Sequence, residues 1–500
     1  MHSGQATGNR ERLVVLLLCL LGAIHVFVFS AAFPFFSVVD EQVHLDLAVH
    51  YASGDLPRTL TPPSAEALPF LVLFGTPEFL GPPARDAEGN LLAPPWKRPL
   101  AAIRKQLLAE EESYREQFQN HEATSPPLYY GLAGAWWRLG RLLDLDGIAL
   151  LYWERFLNVP LLAALVWLGW RAARNTFPGN GFIRLAVPAL IAGLPQNSFY
   201  AINNDVLAPL TFGAAFLLVM KVWDAPVLSP RLAAATGVAL ASAFLTKTSN
   251  LPLLAAAGVL LAVKLRRLLG NRESRTSAFG LLVLFFSAAL PMAAWMAWCK
   301  INFGDFTGSA LKISFLGWTY RPVADWLQHP LFSASGAWYF LSHNLASFWQ
   351  GEQTWHRAPL ALPAVDSVYV ILTLGTLAFT LVAWLRRPPP FTDSQQAALA
   401  LGFLCVAAAL AFFALLSVKY DFQDCFYPSR ALPYFVSGRL MLGLLIPFLI
   451  LFACGLDRLL VHFQNSTKFV VLFALLAFMV ASEITIDAPV FANGYNWFHQ

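Results

Sequence analysis

Long apolar runs alternate with polar stretches along the whole chain, and most of these runs are as long as a membrane-spanning helix. Such a helix needs about 20 mostly apolar residues. Helix is the expected form because lipid offers open backbone groups no hydrogen-bond partner. The pattern therefore predicts eleven transmembrane helices. They lie at roughly 12–32, 148–173, 182–200, 205–223, 231–247, 250–266, 277–299, 365–386, 394–417, 437–460 and 467–486.

One more apolar run, residues 126–143, reads PPLYYGLAGAWWRLGRLL and carries two arginines, Arg138 and Arg141. Its tyrosines and tryptophans are residue types that are enriched at the level of the lipid headgroups. We therefore predict an amphipathic helix that lies in the outer interface of the membrane. A twelfth span is the alternative, and it would turn every later basic loop to the outer side.

The composition supports the membrane assignment and excludes other classes of protein. Of the 500 residues, 57% are hydrophobic and 13% are charged, whereas soluble domains are about one quarter charged. The abundance of apolar residues excludes intrinsic disorder, and a net charge of only +4 gives no reason to expect a nucleic-acid partner. The predicted fold class is an all-α polytopic membrane protein with about 11 transmembrane helices, and with interfacial helices in a long first outer loop.

Basic residues predict the orientation of the chain in the membrane. Arg10 and Arg12 precede the first span, and the positive-inside rule then places the N-terminus inside. Counting the spans forward puts the basic loops inside and the C-terminus outside. The predicted segments are a retained first transmembrane anchor (1–32), an outer loop with interfacial helices and candidate carboxylates (33–147), a transmembrane bundle (148–299), an outer aromatic-rich loop (300–364), a C-terminal transmembrane bundle (365–486) and an outer tail (487–500).

The first outer loop begins with a string of polar residues, Asp40-Glu41-Gln42-Val43-His44. In a helix, Asp40 and His44 share a face, and so do Glu41 and His44. Such pairs could hold a proton or a divalent metal ion. A carboxylate just outside the bilayer is also suited to remove the proton from an acceptor hydroxyl. The alternative is that Asp40 caps the helix and Glu41 occupies its first turn.

Other ionisable candidates lie in the predicted outer loops or where the predicted spans meet the outer side. They are His121, Asp205, Lys247, Arg430 and Arg439. Arg439 begins an apolar helix from the outer side, against the positive-inside trend, and a guanidinium can pair bidentately with a phosphate. The alternatives are a solvated loop histidine, a snorkelling lysine and interfacial anchors.

The order of these strings resembles the GT-C superfamily of membrane glycosyltransferases, which includes the protein O-mannosyltransferases and the lipid A aminoarabinose transferases. The resemblance is carried by Asp40-Glu41-Gln42-Val43-His44, by Pro-Pro-Leu-Tyr-Tyr at 126–130 and by Glu-Arg-Phe-Leu-Asn-Val at 154–159. The first string is similar to the Asp-Glu-x-x-His of a bacterial family of GT-C-like membrane proteins. The similarity covers roughly residues 1–260, and more weakly 420–460.

The resemblance implies a glycosyltransferase of the cell inner membrane that acts on the outer face. The donor would be a sugar linked to polyprenyl phosphate, and the acceptor a hydroxyl on a glycan, a lipid or a protein. Asp40 matches the general base of a single inverting displacement. Glu41 and His44 match groups near the acceptor, or ligands of an optional divalent metal ion.

The same resemblance assigns binding roles to the remaining candidates. His121 and Asp205 would contact substrate, and Lys247, Arg430 or Arg439 would hold the phosphate. This chain departs from the mannosyltransferases because four residues separate His121 from Pro126. Two other functions stay open, a transporter or flippase of lipid-linked sugars and a non-catalytic membrane component of polysaccharide assembly. Either would also contact membrane lipids.

Overall fold

The structure is a computed structural model that describes residues 2–38, 40–79, 81, 85–269, 274–388, 390–425 and 427–496. Within these ranges the chain is an all-α polytopic membrane protein, as predicted. The helices are α1 (His2–Ala32), α2 (Glu41–Ser53), α3 (Leu68–Phe74), α4 (Leu100–Gln117), α5 (Pro127–Leu142), α6 (Gly147–Arg155), α7 (Asn158–Thr176), α8 (Gly181–Ala192), α9 (Leu207–Asp224), α10 (Pro230–Thr246), α11 (Leu251–Leu269), α12 (Ser274–Phe303), α13 (Ser309–Phe315), α14 (Ala334–Gln350), α15 (Pro363–Leu385), α16 (Asp393–Lys419), α17 (Leu445–Leu459) and α18 (Asn465–Phe491).

The strands in the described part of the chain are two residues long and join loops. They are β1 (Thr319–Tyr320), β2 (Thr354–Trp355), β3 (Ala358–Pro359) and β4 (Tyr420–Asp421). β1 pairs antiparallel with β4, and Thr319 faces Asp421 in that register. β2 pairs antiparallel with β3. The β1–β4 pair therefore ties the segment after α13 to the end of α16.

Nine stretches among the described residues are long and apolar enough to cross a membrane. They are Asn9–Ala32, Gly147–Thr176, Leu207–Asp224, Thr248–Arg267, Ser277–Phe303, Pro363–Leu385, Asp393–Lys419, Gly438–Leu459 and Asn465–Phe491. The predicted spans at 182–200 and 231–247 correspond to shorter apolar helices, α8 and α10. α8 ends at Ala192 because Gly193 and Pro195 follow, and proline disfavours helix in the residue before it.

The run at 126–143 forms the 16-residue helix α5, which is not one of the nine candidate spans. α5 lies along α2 in the same direction, since Tyr130 contacts His44 and Arg138 contacts Ala52. Gly134 allows this close approach, because a Cβ there would lie 2.7 Å from the Ala52 nitrogen. The position of α5 relative to the lipid stays a prediction.

The candidate span Gly438–Leu459, which includes α17, lies at the centre of the bundle, and 94% of the residues in its most apolar stretch are buried. Before Asp457 and Arg458 the sequence of α17 is apolar on every side, which is typical of a helix surrounded by other helices. The corresponding buried share is 11% for α12 and 22% for α18, so these two helices expose apolar side chains on the outside of the bundle. Of the predicted outer tail, 487–491 continue α18, and 497–500 lie outside the described residues.

Candidate functional site

Asp40 stands at the end of the connection between α1 and α2, where it occupies the N-cap position of α2. Its backbone is left-handed, with a φ of 67°, a conformation that aspartate adopts more readily than most residues. The Asp40 side chain makes no capping hydrogen bond to α2 in the described part of the chain. The carboxylate turns instead toward residues from distant parts of the sequence, and about a quarter of its surface is exposed.

Arg439 connects Asp40 to two further carboxylates. Arg439 lies in the 3₁₀ turn Gly438–Leu444, which leads into α17. Its Nη2 is 3.0 Å from Asp40 Oδ2, and its Nη1 is 3.0 Å from Asp205 Oδ2. Its Nε is 3.5 Å from Glu352 Oε2. The other Asp205 oxygen accepts a hydrogen bond from Lys247 Nζ, so two cations and three carboxylates form one continuous cluster.

His121 and Glu122 extend this cluster on the other side of Asp40. His121 Nε2 is 3.4 Å from Asp40 Oδ1, and the imidazole ring stacks on Phe315. Glu122 accepts hydrogen bonds from Lys312 Nζ and Ser125 Oγ. We call the whole group the outer charged cluster, after the side of the membrane that the sequence predicts for it, and its members are Asp40, His121, Glu122, Asp205, Lys247, Lys312, Glu352 and Arg439.

Four members of the outer charged cluster lie close to the ends of candidate spans. Asp40 follows the span that ends at Ala32, and Asp205 precedes the span that begins at Leu207. Lys247 directly precedes the span that begins at Thr248, and Arg439 is the second residue of the span that begins at Gly438. Because each of these side chains is near the end of a span and they contact one another, the cluster lies at one end of the candidate spans.

Asn120 holds His121 and Glu122 against α2. Its side-chain amide donates to the Val43 carbonyl at 3.0 Å and to Asp46 at 2.7 Å. Its amide oxygen accepts a hydrogen bond from the Glu122 backbone nitrogen. The loop that precedes α5 is therefore hydrogen-bonded to α2, the helix that begins directly after Asp40.

The electrostatics of the cluster keep Asp40 ionised. Burial opposes the charge, but the hydrogen bond from His121 and the charge of Arg439 outweigh it and hold the pKa of Asp40 well below its ordinary value. The pKa of Glu122 is also lowered, because Lys312 and neighbouring histidines outweigh its burial. At neutral pH both groups are carboxylates.

His44 lies beside this cluster as a neutral group. It is buried, and its Nδ1 is 2.7 Å from the Tyr130 hydroxyl. Burial lowers the pKa of His44 to about 4, so the ring is uncharged near neutral pH. Its contact with a substrate stays a prediction.

Asp40, His121 and Glu122 are the described residues that could hold a metal ion in this cluster. Each can offer one ligand atom, and these atoms lie within 4.8 Å of one another. Two carboxylates and an imidazole are a donor set that divalent cations accept. Lys312 already meets Glu122, and Arg439 already meets Asp40, so a cation would compete with both. Of the predicted metal ligands, Glu41 and His44, neither belongs to this set.

Besides His44, two further predicted site residues lie outside the cluster. Glu41 is fully buried and pairs with Arg155, whose Nη2 is 2.6 Å from Glu41 Oε2. Adjacent residues at a helix start point in different directions, so Asp40 and Glu41 separate. Arg430 is exposed and contacts Asp421 and Gln423 near β4 instead. The predictions that Glu41 acts beside Asp40 and that Arg430 holds the phosphate are therefore not supported by their positions.

Three members of the cluster carry no local sequence signal that links them to Asp40. Glu122 stands in a string that is also typical of a solvated loop, and Lys312 and Glu352 lie in the 300–364 loop, where tryptophan and histidine dominate the pattern. The one signal that all three share in the sequence is an ionisable side chain in a predicted outer loop. Their pairing with distant residues depends on the fold.

Comparisons with known proteins give a family and a distant likeness. The family model described as "Predicted membrane protein (DUF2142)" matches residues 19–420. No curated protein matches the chain. Among solved structures, the chain is similar to the archaeal oligosaccharyltransferase AglB from Archaeoglobus fulgidus, in complex with an inhibitory peptide and a dolichol-phosphate. The identity is 12% and the TM-score 0.44, over 97% of this chain and 56% of that chain, so this chain spans little more than half of its length.

Proposed function

The chain belongs to the DUF2142 family of predicted membrane proteins, and from that premise we propose that it is a membrane glycosyltransferase of the GT-C type. It transfers a sugar from a polyprenyl-phosphate-linked donor to an acceptor hydroxyl at the outer face of the cell inner membrane. The observation that carries the proposal is the outer charged cluster, in which the ionised Asp40 lies 3.0 Å from Arg439 at the ends of several candidate spans. A carboxylate base and cations for a phosphate are the two groups that this reaction requires.

The donor phosphate binds first, through Arg439 and Lys247. Both cations are paired with carboxylates in the structure, so the phosphate takes the place of part of these contacts. When Arg439 turns to the phosphate, Asp40 keeps its contact with His121 but loses one of the charges that hold its pKa low. Asp40 then becomes a stronger base, because an opposite charge near a carboxylate lowers its proton affinity.

The transfer itself is a single displacement. Asp40 takes the proton of the acceptor hydroxyl, and the acceptor oxygen forms a bond to the anomeric carbon of the sugar. The bond between that carbon and the phosphate oxygen breaks, and its electron pair leaves with the polyprenyl phosphate. Arg439 and Lys247 stabilise the extra negative charge on the leaving group. Attack from the opposite side inverts the configuration of the anomeric carbon.

The test is transfer by the full-length protein in proteoliposomes. The donors are polyprenyl phosphates that carry labelled glucose, mannose, galactose or aminoarabinose. Asp40→Asn removes the base and keeps the shape, so we expect the transfer rate to fall by about 10²–10⁴-fold. The matched control is Asp424→Asn, which changes an exposed carboxylate of an outer loop and should leave the rate unchanged.

Two outcomes would contradict the proposal. Full transfer by Asp40→Asn would remove Asp40 as the base. Movement of the labelled donor across the bilayer without transfer to any acceptor would indicate a flippase, and Asp40→Asn would then be compared in that assay.

A further inference from the structure

Glu352 lies beside Arg439 with one carboxyl oxygen engaged and the other free. Its Oε2 is 3.5 Å from Arg439 Nε. Its Oε1 is buried and has no hydrogen-bond partner among the described residues. The side chain is 22% exposed. A buried polar atom without a hydrogen-bond partner is unfavourable, so this oxygen is a position at which a ligand could form a hydrogen bond.

The backbone around Glu352 is held from two sides. The Glu352 nitrogen is 3.3 Å from Asn197 Oδ1, and the side-chain amide of Gln353 donates to the Ser37 carbonyl at 2.9 Å. Gly351 has a φ of 79°, and a Cβ at this position would collide with the Asn197 and Gln196 side chains. These contacts fix Glu352 relative to the connection that carries Asp40.

Glu352 is the third carboxylate that contacts the Arg439 guanidinium. Asp40 and Asp205 both approach Arg439 to 3.0 Å, and Glu352 is farther away. Lys247 adds a second cation for Asp205, and His121 adds a partner for Asp40. A negative charge on Glu352 has no second charged partner in the described structure, where only the Ser437 side chain adds to the contact with Arg439. A buried carboxyl without compensation takes up a proton instead.

The direction of the pKa agrees with this charge distribution. Burial raises the pKa of Glu352, and the charge of Asp205 adds to this effect, although Arg439 and Ser437 oppose it. The pKa of Asp40, which contacts the same guanidinium, is lowered. Two carboxyl groups whose pKa values are moved apart are typical of a pair with different roles in one reaction.

We propose that Glu352 acts as an uncharged carboxylic acid that donates a hydrogen bond from Oε1 to a phosphate oxygen of the lipid-linked donor. This inference rests on the proposed function and names a substrate contact for the same site. Glu352 forms no covalent bond and keeps its proton. When the sugar leaves, the phosphate gains one negative charge, and the hydrogen bond from Glu352 then becomes stronger.

A pH dependence of donor binding follows from this role. Below its pKa, Glu352 is neutral and donates to the phosphate. When the pH rises through that pKa, Glu352 loses its proton and places a second negative charge beside the phosphate. Donor binding therefore weakens with rising pH. The titratable and charged groups that face Glu352, or lie in the same cluster, are Arg439, Asp205, Tyr427, Asp40, His121, Glu122, Lys247 and Lys312.

The experiment measures the affinity of full-length protein in lipid nanodiscs for farnesyl methyl phosphate. This prenyl phosphodiester has one charge that does not titrate, so the probe adds no pH dependence of its own. Affinities are compared between about pH 5.5 and about pH 8.5, a range that lies above the ordinary pKa of glutamate. We expect the wild-type protein to bind about tenfold more weakly at the higher pH.

The substitution Glu352→Gln mimics the neutral acid and cannot ionise. We expect it to bind the probe at both pH values about as well as wild type does at the lower pH. Glu352→Ala should bind more weakly than wild type at the lower pH, because it lacks the donor. The matched control Glu116→Gln changes an exposed carboxylate of α4 and should keep the wild-type pH dependence. Thermal unfolding confirms that each variant is folded.

Because the cluster also contains a histidine, His121→Asn is measured in parallel. It must keep the pH dependence of binding if Glu352 is the titrating group. Loss of the dependence in His121→Asn, or its persistence in Glu352→Gln, would overturn the inference. If wild type binds no probe at either pH, and Arg439→Ala does not differ from it, the proposed function itself fails. Binding that needs Arg439 but ignores Glu352 would leave the proposed function and remove only this inference.

Discussion

Arg439 and Arg155 show how the same residue type takes two roles in one molecule. Arg439 contacts three carboxylates, and its partners Asp40 and Glu352 are each partly exposed. Arg155 and Glu41 are fully buried. A cation whose partners remain accessible can exchange them for a substrate phosphate. A fully buried pair is out of reach of a substrate, so its role is structural, and breaking it leaves a buried charge.

Arg155 fixes the connection between α1 and α2. Its guanidinium makes five hydrogen bonds, which use all of its N–H groups. Two go to Glu41, and the others go to the carbonyls of Ser30, Phe33 and Pro34. Asp40 lies within the same connection, so Arg155 is a positioning residue for Asp40.

The prediction at the residue scale concerns Arg155→Lys. Lysine keeps the charge but has three donors, so at least two of the five buried hydrogen bonds are lost. We expect the free energy of unfolding to fall by about 3 kcal/mol, and the transfer rate to fall with it. Thermal unfolding in detergent and the transfer assay measure the two effects. Arg141→Lys, in an exposed pair with Asp146, is the control and should change stability by less than about 0.5 kcal/mol. Wild-type unfolding and transfer in Arg155→Lys would contradict this role.

At the scale of elements, the pair α2 and α5 determines the geometry of the site. The two helices run in the same direction, and their first turns carry His44 and Tyr130. α2 begins directly after Asp40, and α5 begins shortly after His121 and Glu122. The two sides of the outer charged cluster therefore keep their distance only if these helices stay in close contact.

Two glycines of α5 test this contact with substitutions of opposite effect. A Cβ at Gly134 would lie 2.7 Å from the Ala52 nitrogen and 2.9 Å from the Ala48 oxygen, whereas a Cβ at Gly131 meets nothing within 4 Å. We expect Gly134→Ala to destabilise the protein by about 1–3 kcal/mol through overpacking. Gly131→Ala should stabilise it by about 0.5–1 kcal/mol, because alanine favours helix over glycine. Both are measured by thermal unfolding in detergent, and equal effects at the two positions would contradict the packing of α2 on α5.

At the scale of the whole molecule, segments that are far apart in sequence meet at one end of the bundle. The connection after α1, the loop before α5, the loop after α14 and the turn before α17 each supply part of the outer charged cluster. The lipid-facing helices α12 and α18 lie on the outside of the same bundle. The proposed function therefore needs all these ends on the outer side of the membrane.

The orientation can be measured with single cysteines, after Cys425 in a predicted outer loop has been replaced by serine. Ser335→Cys is on the predicted outer side and Ser466→Cys on the predicted inner side, and both positions are exposed. We expect a membrane-impermeant maleimide to label Ser335→Cys in intact cells, and Ser466→Cys only after the membrane is broken, as the positive-inside rule requires. The reverse labelling pattern would place Asp40 and Arg439 in the cytoplasm and exclude a reaction on the outer face.

The sequence alone determined the class of the protein and the places where its polar groups accumulate. Apolar runs and their lengths depend on local composition, so the helical, membrane-spanning character was predictable and is confirmed. The same patterns located Asp40, Asp205, Lys247 and Arg439 at the ends of spans. Each of these statements needs only neighbouring residues.

Only the tertiary structure decided which charged groups meet. Arg439 gathers Asp40, Asp205 and Glu352 from distant segments, and no local pattern encodes such a pairing. The structure also sends Glu41 to Arg155 although it is adjacent to Asp40. The physical reason is that ion pairs depend on distance in space, which the packing of whole helices sets, whereas apolar periodicity acts within a single helix.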